Sequence, residues 1–137
     1  MADSSAGTKR NMGTKTNIMI IDDSYTNRVL LRAVLDELDM NVIEVHSGAK
    51  ALKLLYDYTP HIILLDMCMP QMNGLDFLKE LNKLNKKVPV IVVSVLDDQT
   101  YINQAFQQGA CEYLLKPLDM NKLLNTISRY AEVEIPN

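Results

Sequence analysis

The sequence predicts an α/β fold in which a doubly wound parallel sheet of five strands lies between two layers of helix. Three observations carry this prediction. Short aliphatic runs recur along the chain, and each is followed by a stretch with apolar residues at helical spacing. Carboxylates and turn residues follow the runs directly. Charges fall inside only two of the five runs, and a charged strand belongs at a sheet edge.

Ile18-Met19-Ile20-Ile21 reads as the first buried strand, with Asp22-Asp23-Ser24 at its carboxyl end. Ser24 is a suitable N-cap for a helix presenting Leu30, Leu31, Val34, Leu35 and Leu38 on one side. Asn41-Val42-Ile43-Glu44-Val45 is the second strand, placed at an edge by Glu44. Ser47-Gly48 opens a second helix with Ala51, Leu54, Leu55 and Tyr58 apolar, and Pro60 closes the loop after it. Ile62-Ile63-Leu64-Leu65 is the central strand and runs straight into Asp66. Asn73-Gly74 gives a turn, and a third helix carries Leu75, Leu78 and Leu81. Val90-Ile91-Val92-Val93 is the fourth strand, with Ser94 at its end. Asp97 or Asp98 caps a fourth helix bearing Ile102, Ala105 and Phe106, which Gly109 ends in a left-handed conformation. Cys111 to Leu115 is a fifth strand with an edge-like Glu112, followed by Lys116-Pro117. Asp119 caps the last helix, with Leu123, Leu124, Ile127 and Tyr130 apolar.

The order is βαβαβαβαβα. Edge positions for the second and fifth strands give the sheet order 2-1-3-4-5, the flavodoxin-like (βα)5 three-layer sandwich. Residues 1–16 are polar and aperiodic and are expected to be a disordered leader, with Lys9, Arg10 and Lys15 solvated. Residues 17–131 form one domain, and 132–137 a short tail or the start of a linker. The 137 residues include 47% hydrophobic and 23% charged, ordinary globular values that suit one core. A net charge of −3 gives no general affinity for nucleic acid or anionic membrane. No apolar run is long enough to span a bilayer, and no signal peptide is visible, so a cytoplasmic protein is expected. The two cysteines, Cys68 and Cys111, fall at opposite ends of their strands, which excludes a disulfide between them.

In open parallel sheets, ligands bind at the carboxyl ends of the strands. Those ends bring Asp22, Asp23, Asp66, Ser94 and Lys116 together. Three carboxylates in one pocket repel one another, and a hard divalent cation such as Mg²⁺ resolves the conflict. With a lysine and a hydroxyl added, the set describes a phosphoryl site in which Asp66 is the nucleophile. No member means much alone; the specificity lies in four strand ends each bearing the needed group.

On these residues the sequence resembles the receiver domains of two-component response regulators, the fold of the single-domain chemotaxis regulators. The resemblance spans about 17–131 and rests on Asp22-Asp23, the D-x-x-M-P-x-M-N-G stretch from Asp66 to Gly74, Ser94 and Lys116-Pro117. It implies that Asp66 accepts a phosphoryl group from a sensor histidine kinase or phosphotransfer protein. It implies Mg²⁺, with Mn²⁺ as an alternative, on Asp23, Asp66 and the backbone carbonyl of Cys68, with Asp22 reaching it through water. Lys116 would contact the phosphoryl oxygens, Ser94 would move towards them, and Tyr113 would swing in behind. The surface of the fourth helix, fifth strand and fifth helix would change its partner binding. The Lys116–Pro117 bond is expected to be cis. The output would be a downstream protein or a C-terminal domain beyond this sequence, with a phosphorylation-dependent homodimer left open. Direct contact with nucleic acid or membrane is not expected.

One residue departs from the pattern: Val95 stands where receivers often have a small side chain. With Cys68 and Leu96 it flanks the pocket, which suggests restricted water entry and slow dephosphorylation. Three other functions compete. An aspartyl-phosphate phosphatase commonly needs a second carboxylate two residues after the nucleophile, where this chain has Cys68. A flavin carrier would need hydroxyls and backbone donors where Asp22-Asp23 stands. A receiver-like module that pairs with partners unphosphorylated would not need the complete pocket. His46 and His61 are read as surface or loop residues, and Met67, Met69 and Met72 as packing residues, not ligands of a hard cation.

Overall fold

The computed structural model describes residues 15–131. The elements are β1 (Asn17–Ile21), α1 (Tyr25–Asp36), β2 (Asn41–Val45), α2 (Gly48–Leu55), β3 (Ile62–Leu65), α3 (Gly74–Lys83), β4 (Val90–Ser94), α4 (Gln99–Gln107), β5 (Glu112–Leu115) and α5 (Met120–Ala131). The strands pair in parallel in the order β2-β1-β3-β4-β5. The expected architecture and strand order are what the structure has. Residues 1–14 of the leader expected over 1–16, and the tail over 132–137, lie outside the described residues. Thr16, assigned to that leader, is instead buried, and its carbonyl accepts the N–H of Asn41 at 2.9 Å. Lys15 pairs with Asp39 at 3.0 Å.

Alternation along the strands builds two cores. Met19, Ile21, Ile63, Leu65, Val90 and Val92 face α2, α3 and α4. Ile18, Ile20, Ile62, Leu64, Ile91 and Val93 face α1 and α5. All four residues of β3 are buried, which accounts for its unbroken aliphatic run. Full burial of each such side chain contributes about 1.5–3 kcal/mol.

The helix faces follow the pattern except at three residues, one of them Phe106 in α4, which is 45% exposed beside the buried Ala105. In α1, Leu31 and Leu35 enter the core, but Leu30 is 57% exposed. In α2, Ala51 and Leu55 are buried while Leu54 is exposed. Both exposed leucines directly neighbour a buried one, and a step of 100° leaves an adjacent residue outside a narrow stripe. Phe77, absent from the apolar pattern read for α3, is fully buried.

The caps fix the entry of each helix. Ser24 accepts the N–H of Asn27, Ser47 that of Lys50, and Asn73 that of Asp76. Asp98, not Asp97, caps α4, accepting from Thr100 N–H at 2.8 Å. Asp119 accepts the N–H of Lys122 ahead of α5. Gly109 follows α4 with φ +106°, a backbone region open to glycine.

Both edge strands carry their charge in a clamp. Glu44 on β2 takes Arg28 Nε at 3.2 Å on one oxygen and Arg32 Nε at 2.6 Å on the other. Glu112 on β5 takes Arg129 at 2.8 Å and the Tyr130 hydroxyl at 3.1 Å. The charge on each edge strand is thus neutralised by side chains from α1 or α5.

Candidate functional site

The site lies at the carboxyl ends of β1, β3, β4 and β5. Sheet pairing continues one residue past the strands there. The N–H of Asp66 donates to the Ile21 carbonyl at 3.0 Å, that of Asp22 to Val45 at 3.1 Å, and that of Lys116 to Ser94 at 2.9 Å. Neighbouring strand ends therefore hold Asp22, Asp66, Ser94 and Lys116 by their backbones.

Asp22, Asp23 and Asp66 meet, with one oxygen from each lying within 4.8 Å of the others. Asp22 is 2% exposed and Asp66 7%. Asp23 is exposed and forms the open side. One oxygen of Asp22 accepts the N–H of Ser24 at 2.9 Å, and the other lies 3.6 Å from Lys116 Nζ. Asp66 accepts the N–H of Cys68 at 3.2 Å. Burial pushes the Asp66 carboxyl above the ordinary range, and the Asp22 charge adds to this. The Cys68 N–H, Lys116 and Ser94 pull the other way.

Ser94 is fully buried, and its oxygen accepts the N–H of Leu96 at 3.2 Å with the Cys68 sulfur 3.8 Å away. Tyr113 is half-buried and its hydroxyl donates to the Leu96 carbonyl at 2.7 Å. The ring already reaches the loop that follows Ser94. The Lys116–Pro117 bond is cis. Both cysteines are free thiols. His61 is tied into the sheet end, where its Nδ1 accepts the N–H of Asn17 at 2.9 Å. His46 is exposed.

Hard oxygen donors, two of them buried and the third open to solvent, with one nearby ammonium against three carboxylates, fit a small divalent cation. Two features of the site were not read from the sequence. Arg28 donates through Nη1 to the Asp22 carbonyl at 2.8 Å while its Nε holds Glu44. An arginine one helical turn from a second one, opposite an edge-strand glutamate, was the available signal. The other is Gly74, whose N–H donates to the Met67 carbonyl at 3.1 Å and which lies against the Asp66–Met67 backbone. The Asn73-Gly74 pair marked a turn without showing that contact.

The response regulator receiver domain family matches residues 18–128. The chain is similar to the two-component response regulator ORR3 of Oryza sativa subsp. indica, 33% identical over 128 residues, covering 85% of this chain and 98% of that protein. It is 30% identical over 116 residues to the transcriptional regulatory protein ZraR of Klebsiella oxytoca, covering 85% of this chain but only 26% of ZraR. In structure it is similar to the receiver domain of the sensor histidine kinase PA1611 from Pseudomonas aeruginosa PAO1, solved with magnesium in its active-site cleft. The TM-score there is 0.79 at 23% identity, covering 87% of this chain and 99% of that one.

Proposed function

The chain belongs to the response regulator receiver family, whose members are phosphorylation-activated signalling switches, and from this premise we propose that Asp66 is its phosphoacceptor. The observation that supports this most is the meeting of Asp22, Asp23 and Asp66 beside Lys116 and Ser94. The donor is a phosphohistidine of a sensor kinase or phosphotransfer protein. An Asp66 oxygen attacks phosphorus, the phosphorus–nitrogen bond breaks, and the imidazole nitrogen keeps the electron pair. Asp23, Asp66 and the Cys68 carbonyl would hold Mg²⁺ directly and Asp22 through water, and Mn²⁺ would suit the same donors. The ion would neutralise charge on the transferring group. Lys116 pairs with the phosphoryl oxygens, and the Ser94 O–H donates to them. Tyr113 follows Ser94 inward, and the α4–β5–α5 face presents the change to a downstream protein or a C-terminal output domain. No separate substrate is turned over.

The test is incubation with Mg²⁺ and a small acyl phosphate, read by intact mass. One added phosphoryl group, lost when EDTA replaces Mg²⁺, is expected, with no sustained hydrolysis of p-nitrophenyl phosphate. Steady turnover of that ester would make the chain a phosphatase instead, and no uptake would leave a module that pairs without phosphorylation.

Moving a two-state balance from 1:99 to 99:1 takes about 5.5 kcal/mol. Hydrogen bonds to a charged group contribute roughly 1.5–3 kcal/mol each, so Lys116 and Ser94 together are of the right size. Lys116→Ala is therefore expected to take up the phosphoryl group yet shift its switching equilibrium roughly 10- to 150-fold less. Amide NMR shifts across α4, β5 and α5, recorded before and after phosphorylation, measure this; wild-type shifts in the variant would contradict it.

Val95 is 63% exposed beside Ser94. If its side chain screens the pocket mouth, Val95→Ala loses the phosphoryl group several-fold faster than wild type. An unchanged half-life would show that this isopropyl group shields nothing.

A further inference from the structure

Arg28 joins the acidic pocket to the sheet edge. Its side chain is only 14% exposed, and the ring of Tyr25 lies 5.8 Å from the guanidinium carbon. Nη1 donates to the Asp22 carbonyl at 2.8 Å, and Nε donates to Glu44 at 3.2 Å. Glu44 is held on its other oxygen by Arg32, whose Nη2 is itself fixed on the Val42 carbonyl at 2.8 Å. The Asp22 N–H is bonded to Val45 of the same edge strand. The peptide group that carries the Asp22 carbonyl is the one leading into Asp23. Its orientation decides where the Asp23 carboxylate stands relative to Asp22 and Asp66.

We infer that Arg28 is a positioning residue for divalent-cation binding: braced by Glu44, it fixes the Asp22–Asp23 peptide so that both carboxylates face Asp66. This rests on the reading of the three carboxylates as a cation site. Two physical effects oppose each other at Arg28. On charge alone, a guanidinium near a cation site weakens binding, so removing it should tighten the site. As a brace it does the reverse, because residues that orient metal ligands typically carry about 10- to 100-fold in affinity. The sign of the change separates the two roles. Lysine keeps the charge but lacks the planar fork that reaches the carbonyl and Glu44 together.

The test is calorimetric titration of the full chain with Mg²⁺ alone, with thermal melts checking that each variant is folded. Arg28→Gln is expected to raise the Mg²⁺ Kd about tenfold. Arg28→Lys is expected to fall near Arg28→Gln, not near wild type. Glu44→Gln should weaken binding less, and should add nothing once Arg28→Gln is present, since the two act through one contact. Unchanged or tighter binding in Arg28→Gln, or full recovery in Arg28→Lys, would overturn the inference. If Arg28→Gln does not fold, unchanged affinity in Glu44→Gln overturns it and weaker affinity supports it. Asp23→Asn is the control for the site itself. If wild type shows no saturable Mg²⁺ binding, or if Asp23→Asn binds like wild type, the cation-site reading fails and takes this inference with it.

Discussion

Asp66→Asn is expected to gain no phosphoryl mass from an acyl phosphate and Mg²⁺, under conditions where wild type is expected to gain one group. The side-chain amide has no anionic oxygen to attack phosphorus, and neither neighbouring carboxylate has the same surroundings. Asp23 is exposed, and Asp22 is engaged by Ser24 N–H and Lys116. Uptake by the variant equal to that of wild type would remove Asp66 from the reaction. The same substitution has a second readout. A carboxyl whose folded-state pKa is raised stabilises the fold below its unfolded pKa and loses that contribution as pH rises through the folded value. At neutral pH, ionised Asp66 is therefore a cost in the metal-free protein. In EDTA, Asp66→Asn is expected to melt a few degrees above wild type, with the gap narrowing as pH falls towards the ordinary carboxylate range. A lower melting temperature at neutral pH would contradict the burial argument.

Gly74→Ala is expected to cost about 2–3 kcal/mol by overpacking, read as a lower urea midpoint with unchanged slope. A Cβ built there lies 2.5 Å from Met67 Sδ, 2.8 Å from Met67 Cα and 3.0 Å from the Asp66 carbonyl oxygen. A thioether can turn away, but the Met67 backbone cannot, because it leads directly from Asp66 at the end of β3. Relief must move α3 or the Asp66–Met67 segment, so slower phosphoryl uptake should accompany the loss of stability. Gly48→Ala is the matched control. The nearest atoms to its Cβ belong to the side chain of Met72, at 2.8 Å from Sδ and 3.2 Å from Cγ, which is flexible enough to yield. A near-neutral effect is expected at Gly48. Equal costs at the two glycines would show that backbone proximity is not what distinguishes them.

The sheet was legible because each strand reports its own surroundings. Ile62 to Leu65 could be uninterrupted only with helices on both faces, and Glu44 and Glu112 could be tolerated only at the edges. Once the order was known, the strand-end residues fell on one side without any further assumption. Side-chain bonds to backbone carbonyls were not legible. The two arginines one turn apart signalled a pairing with Glu44, but the bond from Arg28 to the Asp22 carbonyl leaves no spacing signature, since any residue supplies a carbonyl. The exposure of Leu30 was hidden for a different reason: a helix pattern fixes which stripe is apolar, but not how far a neighbouring helix overhangs it. Gly74 looked like a turn glycine, while its contact with Met67 depends on how α3 docks.

Lys116 follows β5, while its partner Asp22 follows β1, with β3 and β4 between them. Three strand spacings of about 4.8 Å separate the two strand axes, so this pair is a tether across the roof of the sheet. A phosphoryl group on Asp66, as proposed above, would compete for the same ammonium, and each oxygen it offered would draw Lys116 away from Asp22 and loosen this tether.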